Sequence, residues 1–191
     1  AQADGARISR LEGLKRNVYI YFRHVANEAI KEQKKLYDSA VKTAYYTNIF
    51  DTAQGLNCGI DFPLVPQKAV NKVLSEPWHG HNYSERVWIH NDRFIQAVGQ
   101  TIEDGIISGH SVSRMTDKLL DYVKDPAPGG IRTSAETLVR SETAHFMNQG
   151  QKMAYEEIGI KQYRFVAALS ELTCDRCGSL DGSVFDTDKA V

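Results

Sequence analysis

Cys174-Asp175-Arg176-Cys177 is the sharpest chemical motif in the chain. Two thiolates at C-x-x-C spacing can hold one edge of a tetrahedral zinc site, which needs two further ligands. Cys58 lies far upstream, and the six histidines (His24, His79, His81, His90, His110, His145) contain no H-x-x-x-H pair. Cys174 and Cys177 are therefore half a metal set, and zinc, the one cofactor the residues point to, has an incomplete site here. Zinc-linked structure and plain turn cysteines both stay open. Redox use needs the motif at the start of a helix after a strand. Gly178, Asp181 and Gly182 spell a turn instead, which argues against it.

Two other constellations have a bland reading beside the sharp one. In His79-Gly80-His81 a flexible glycine between two ligands gives poor chelation geometry, so a loop packed through Trp78 and Tyr83 is expected. Arg140 and Glu142 lie within one helix, where Glu136 and Arg140 have the favourable i,i+4 order and Glu142 points elsewhere. A catalytic Glu142 would need a second carboxylate or a nucleophile, and none is supplied. The chain has no P-loop, no G-x-S-x-G and no H-E-x-x-H. Three cysteines are too few for a disulfide scaffold and point to a reducing compartment.

The elements that must position these residues follow from composition and pattern. The 191 residues are 42% hydrophobic and 25% charged, which is the balance of a globular chain. The longest apolar runs, Val18–Phe22 and Phe165–Leu169, are far short of the ~20 residues a bilayer crossing needs. No signal peptide is expected, because residues 1–10 carry charge and no apolar core. The net charge of −1 lacks the basic surplus of a nucleic-acid protein. Residues 1–46 are nevertheless net +4 and residues 156–191 net −3.

Leu11, Leu14, Val18, Tyr21, Val25, Ala29, Leu36 and Ala40 recur at three, four or seven, so residues 6–46 read as one long helix. Such a rod is either broken by a loop or projects to meet another chain. Gly55, Gly59, Pro63 and Pro66 mark a connector from Asn48, and a short helix then runs to about Ser75. An aromatic loop over residues 76–83 leads to Ser84, read as the N-cap of a helix ending near Gly109. A further helix is stopped by the Pro/Gly-rich residues 125–130. Thr133 and Glu136 form a capping box for the last long helix, which closes at Gly159. Strand character follows at Tyr163–Leu169, and Asp181-Gly182 favours a hairpin into Val184-Phe185. The expected class is α+β, mainly α. It comprises a long helical arm (1–47), a connector with a short helix and the aromatic loop (48–82), and a helical core ending in a small C-terminal β-hairpin unit with a CxxC turn (83–191).

Taken as an ordered set, Leu138-Val139-Arg140-Ser141-Glu142-Thr143, Gly159-Ile160, Thr173-Cys174-Asp175-Arg176-Cys177 and Leu180-Asp181-Gly182 resemble the minor head proteins of tailed bacteriophages. This is the head-morphogenesis family that includes the F-like protein of phage Mu. Ser84, Arg86 and Trp88 are similar to the family's S-x-R-[IV]-W helix start, and Ile106–Ser111 to its glycine-serine junction. The resemblance covers about Trp78 to Asp186. Members usually continue beyond the L-D-G turn to a His and a Cys-Arg that would complete the ligand set, so a fragment of a longer protein is expected.

The resemblance implies a structural, non-enzymatic role in the virion, with assembly in the host cytoplasm. The implied partners are the portal and the head shell, and the implied tasks are head assembly, genome packaging or DNA delivery. No membrane contact is expected. The N-terminal helix, through Leu11, Leu14, Val18, Tyr21, Val25 and Leu36, is the expected docking or oligomerisation element. Any contact of the basic first segment with packaged DNA is weak and salt-sensitive. The alternatives are a small zinc-dependent nucleic-acid-binding module and an effector-type enzyme.

Overall fold

A computed structural model describes residues 2–124, 131–168, 170 and 173–189. In chain order the elements are α1 (Gln2–Gly55), α2 (Gln67–Ser75), α3 (Tyr83–Ile107), α4 (Val112–Lys124), α5 (Ile131–Glu157), β1 (Gln162–Arg164), α6 (Asp175–Leu180) and β2 (Val184–Asp186). A 3-10 turn, Thr187–Lys189, follows. The expected mainly helical α+β class is what the chain adopts. The Pro/Gly-rich stop at residues 125–130 and the side chain of Thr133 lie outside what is described.

No loop breaks α1, which continues through the expected connector start at Asn48 to Gly55. Ile49 is fully buried, and Asn48 and Thr52 each donate to the carbonyl four residues back, at 2.7 Å, so the extra turns are both packed and bonded. The helix closes at Asn57, left-handed at φ 49°, with Cys58 N–H on Ala53 O at 3.1 Å and Asn57 N–H on Gln54 O at 3.0 Å. That pairing is a Schellman end. Gly109 (φ 67°) and Gly159 (φ 73°) close α3 and α5 in the same way.

The start of α3 differs from expectation by two residues. Asn82, not Ser84, is the N-cap: its side chain accepts from Glu85 N–H at 3.0 Å, while Glu85 Oε2 accepts from Asn82 N–H at 2.9 Å. Asn82 has the extended backbone a cap needs, and its amide oxygen reaches the third helical residue. Ser84 donates its hydroxyl to the same Asn82 oxygen at 2.7 Å.

The described chain forms two compact units whose boundaries fall inside helices. The first comprises Ala1–Tyr37 and Leu74–Ala144. Its buried apolar residues include Ala26, Tyr37, Leu74, Tyr83, Val87 and Val98. Phe22 meets Phe94 edge-on with ring centroids 4.6 Å apart, and Tyr37 meets Tyr83 at 5.3 Å. α3 and α4 pack where Gly105 lacks a side chain, because a Cβ there would sit 2.1 Å from Met115 Sδ.

The second unit comprises Asp38–Val73 and His145–Val191. Val41, Ala44, Tyr45, Ile49, Val65, Val70, Phe146 and Ala154 are buried in it. Tyr45 OH donates to Pro63 O at 3.3 Å, and Tyr46 OH accepts from Val65 N–H at 3.1 Å, which ties the connector to α1. β1 and β2 pair antiparallel with Tyr163 opposite Phe185. The expected two-stranded unit forms, but Asp181-Gly182 does not join its strands as a tight hairpin. Residues 165–183 intervene, and Gly182 (φ 76°) instead turns the chain from α6 into β2.

Candidate functional site

Glu142 on α5 is the least expected side chain in the first unit: a carboxylate with 0% exposure. Burying a charge without partners costs many kcal/mol, so its surroundings decide whether it is tolerated. Its Oε2 accepts from the Trp78 indole N–H at 3.0 Å, and its Oε1 accepts from Arg86 Nη1. Arg86, on the second turn of α3, also donates through Nη2 to Trp78 O. Its guanidinium lies 4.7 Å over the Trp78 ring, a cation–π contact. Both carboxylate oxygens and both terminal guanidinium nitrogens are thus engaged.

Trp78 is held for this by a two-residue turn. Trp78 and His81 pair their backbones, with N···O distances of 3.2 and 3.4 Å, and His79 (φ 49°) and Gly80 (φ 88°) fill the corner. Two left-handed residues in succession are the geometry of a type I′ turn, and glycine at the second position makes it accessible. His79-Gly80-His81 is therefore a corner, as the loop reading held. Nearby, burial pushes the Tyr37 phenol well up, with a further contribution from the Glu142 charge.

The other motif residues are distributed unevenly around this clamp. Arg140 is exposed and Trp88 half-buried. The sequence spacing paired Arg140 with Glu136 and left Glu142 pointing elsewhere, and the partner of Glu142 is Arg86 on another helix. The only sequence signal for that pair was the co-occurrence of the α3 and α5 motif strings.

Thr173, Asp181 and Gly182 work in the second unit. Asp181 Oδ1 accepts from Ala167 N–H at 2.8 Å. Thr173 Oγ1 accepts from Ser170 N–H at 2.8 Å and donates to Ala168 O at 2.6 Å. Gly182 N–H donates to Phe165 O at 2.9 Å. Together they fasten the segment after β1 against the start of β2.

The cysteines stand at the beginning of α6 and not on an open turn. Cys174 is the N-cap residue, in extended backbone (φ −70°, ψ 155°), and Gly178 N–H donates to its carbonyl at 2.9 Å. That bond makes one helical turn across the motif, which Gly178 does not prevent. The two cysteines sit close together, Cys174 exposed and Cys177 half-buried. The Cys177 amide and thiol hold the Cys174 thiol below the usual range, and the same contact with Cys174 pushes Cys177 up. Such a pair suits two adjacent positions of a tetrahedral set. Among the described residues no group of three or more His, Cys, Asp or Glu side chains gathers.

The expected docking residues lie along α1. Leu14, Tyr21, Val25 and Leu36 are exposed, while Leu11 and Val18 are half-buried. The line that turns inward is a different one and includes Phe22, Ala26, Tyr37, Val41 and Ala44. No helix among the described residues is long and apolar enough to cross a membrane.

A long helix, a buried arginine–glutamate clamp and a small two-stranded unit carrying C-x-x-C and L-D-G define a mainly helical α+β protein. Residues 96–191, half of the chain, match the family described as Phage Mu protein F like protein, and the chain belongs to that family. The family is one of phage head morphogenesis. The match includes Glu142 and the whole C-terminal unit, while Trp78 and Arg86 stand upstream of it. No curated protein and no solved structure matches the chain.

Proposed function

We propose that this protein acts in the phage head by docking, with the exposed apolar stripe of α1 seated on the portal or the inner head shell. The supporting observation is that α1 carries two apolar lines and uses one of them internally. Leu14, Tyr21, Val25 and Leu36 are separated by seven, four and eleven residues, all close to whole numbers of helical turns, so they share one face. That face is exposed, and family membership supplies the context of other head proteins and the virion. Docking of this kind would serve head assembly, genome packaging or DNA delivery and needs no catalytic group.

Deleting residues 1–46 is a poor test, because Tyr37, Val41, Ala44 and Tyr45 in that span are buried. The suitable variant is the pair Leu14→Lys and Val25→Lys, which alters only exposed positions. It should melt like the parent and fail to co-purify with portal or procapsid. Undiminished co-purification would overturn the docking assignment. In the same proposal Cys174 and Cys177 supply two thiolates to a zinc ion whose other ligands come from beyond the described residues. Metal analysis of the parent beside Cys174→Ser tests this, and equal zinc content in the two would end it.

A further inference from the structure

In the second unit, α5 and the chain around β1 enclose a cleft of about 470 Å3. That volume lies in the range of about 300–1,000 Å3 typical of small-ligand sites. One wall is aromatic: Tyr155 and Tyr163 have centroids 6.3 Å apart and planes 32° from parallel, and Phe185 continues the row beyond Tyr163 at 5.9 Å and 33°. Gln151 Nε2 donates to Tyr155 OH at 2.5 Å and fixes that ring. The charged lining residues are Lys152 and Arg164, and no carboxylate lines the cleft. This is notable in a chain whose residues 156–191 are net −3. Arg164 is exposed, and its side chain has no hydrogen bond or ion pair among the described residues.

Thr187 borders the same cleft. It is 4% exposed, and its amide is bonded to Lys161 O at 2.9 Å, while its hydroxyl has no hydrogen-bond partner among the described residues. Buried polar groups are rarely left unpaired, so this hydroxyl is a local cost to the folded chain. Gln149 offers a carboxamide donor and acceptor on the same surface. Flat aromatic faces take flat rings, guanidinium and ammonium groups take phosphate, and carboxamides and hydroxyls read ring edges and sugars.

We propose that this cleft binds a nucleotide, with its base on the Tyr163 face and its phosphate at Arg164 and Lys152. The ligand is either a free nucleotide or the phosphorylated end of a single strand, since both present the same base and phosphate. The test is titration calorimetry of the full chain with AMP, adenosine, inorganic phosphate and a 5′-phosphorylated single-stranded oligonucleotide. AMP should bind, with adenosine and phosphate each at least about tenfold weaker, because stacking and phosphate contact both contribute. Arg164→Glu, a surface change, should keep its circular dichroism and lose about tenfold or more in AMP affinity. An oligonucleotide tenfold tighter than AMP supports a strand end as the source, and equal or weaker binding supports the free nucleotide. The inference is overturned by no AMP binding at millimolar concentration, by adenosine or phosphate binding as well as AMP, or by an unchanged Arg164→Glu variant.

Discussion

Arg86 and Glu142 form an ion pair whose carboxylate is wholly buried and whose guanidinium side chain is 15% exposed, although the two residues are 56 positions apart. It joins the start of α3 to the middle of α5, and the Trp78 indole closes the carboxylate's second oxygen. Two charges withdrawn from water gain little net stability by pairing, but removing either leaves the other stranded. The clamp therefore ties α3, α5 and the 78–81 corner to one another while adding little net stability.

Glu142→Ala and Arg86→Ala should each destabilise the protein by about 3–5 kcal/mol, since each leaves an uncompensated buried group. The double variant should cost clearly less than the sum, because the stranded charge is then gone. Denaturant unfolding of the three variants gives the coupling. Additive losses would mean that the pair is not the unit described.

Alkaline stability carries the mark of Tyr37. Burial, then the Glu142 charge, hold its phenol well above the ordinary value, and burial moves Tyr83 and Tyr45 the same way. In the unfolded chain these phenols ionise near pH 10, roughly the ordinary tyrosine value. The folded chain keeps protons that the unfolded chain has released, so stability falls as pH rises through and above that value. Tyr37→Phe should shrink the drop in melting temperature between about pH 9 and about pH 11. An equal drop in parent and variant would exclude Tyr37 as its source.

Gly150 marks a close approach of α5 to α1 within the second unit. A Cβ there would lie 2.2 Å from the Val41 carbonyl oxygen and 3.0 Å from Ala44 Cβ, and backbone cannot yield as a side-chain end can. Gly150→Ala should cost about 1–3 kcal/mol in spite of alanine's better helix propensity. Gly99, in the interior of α3, has nothing within 4 Å of its Cβ position. Gly99→Ala should therefore stabilise by about 0.5–1 kcal/mol. Thermal melts of the two variants should move in opposite directions.

Asp181 should reveal itself locally more than globally. Its carboxylate accepts the Ala167 amide at 2.8 Å in an exposed setting, a bond contributing about 1 kcal/mol or less. Asp181→Ala should speed hydrogen exchange at Ala167 and leave the amides of α5 unchanged. Uniformly faster exchange would mean that Asp181 supports the whole unit.

Much of this fold was legible one residue at a time. Glycine ends at 109 and 159 and apolar spacing are short-range signals, and they located α3, α4 and α5 to within about a turn, while the end of α1 lay more than two turns beyond the expected one. They erred where two local signals competed. Asn82 and Ser84 are both good caps, and the choice fell to the residue whose oxygen reaches Glu85 N–H. Gly55 and Gly59 advertised an early end to α1, but Ile49 is buried and the end waited for Asn57. The C-x-x-C motif, with Gly178 beside it, read as a turn; a single i→i+4 bond made it a short helix.

By itself the amino-acid order determined the class of the protein, the ordered motif strings that place it in its family, and the presence of apolar lines along α1. Those depend on identity and spacing, which the chain carries wherever it goes. Tertiary structure alone decided which apolar line faces inward, that Glu142 answers to Arg86 and Trp78, and that Thr187 is buried beside a cationic cleft with its hydroxyl unpaired among the described residues. The reason is physical: partners distant in sequence are chosen by which faces meet, and periodicity shows that a face exists without showing what it meets.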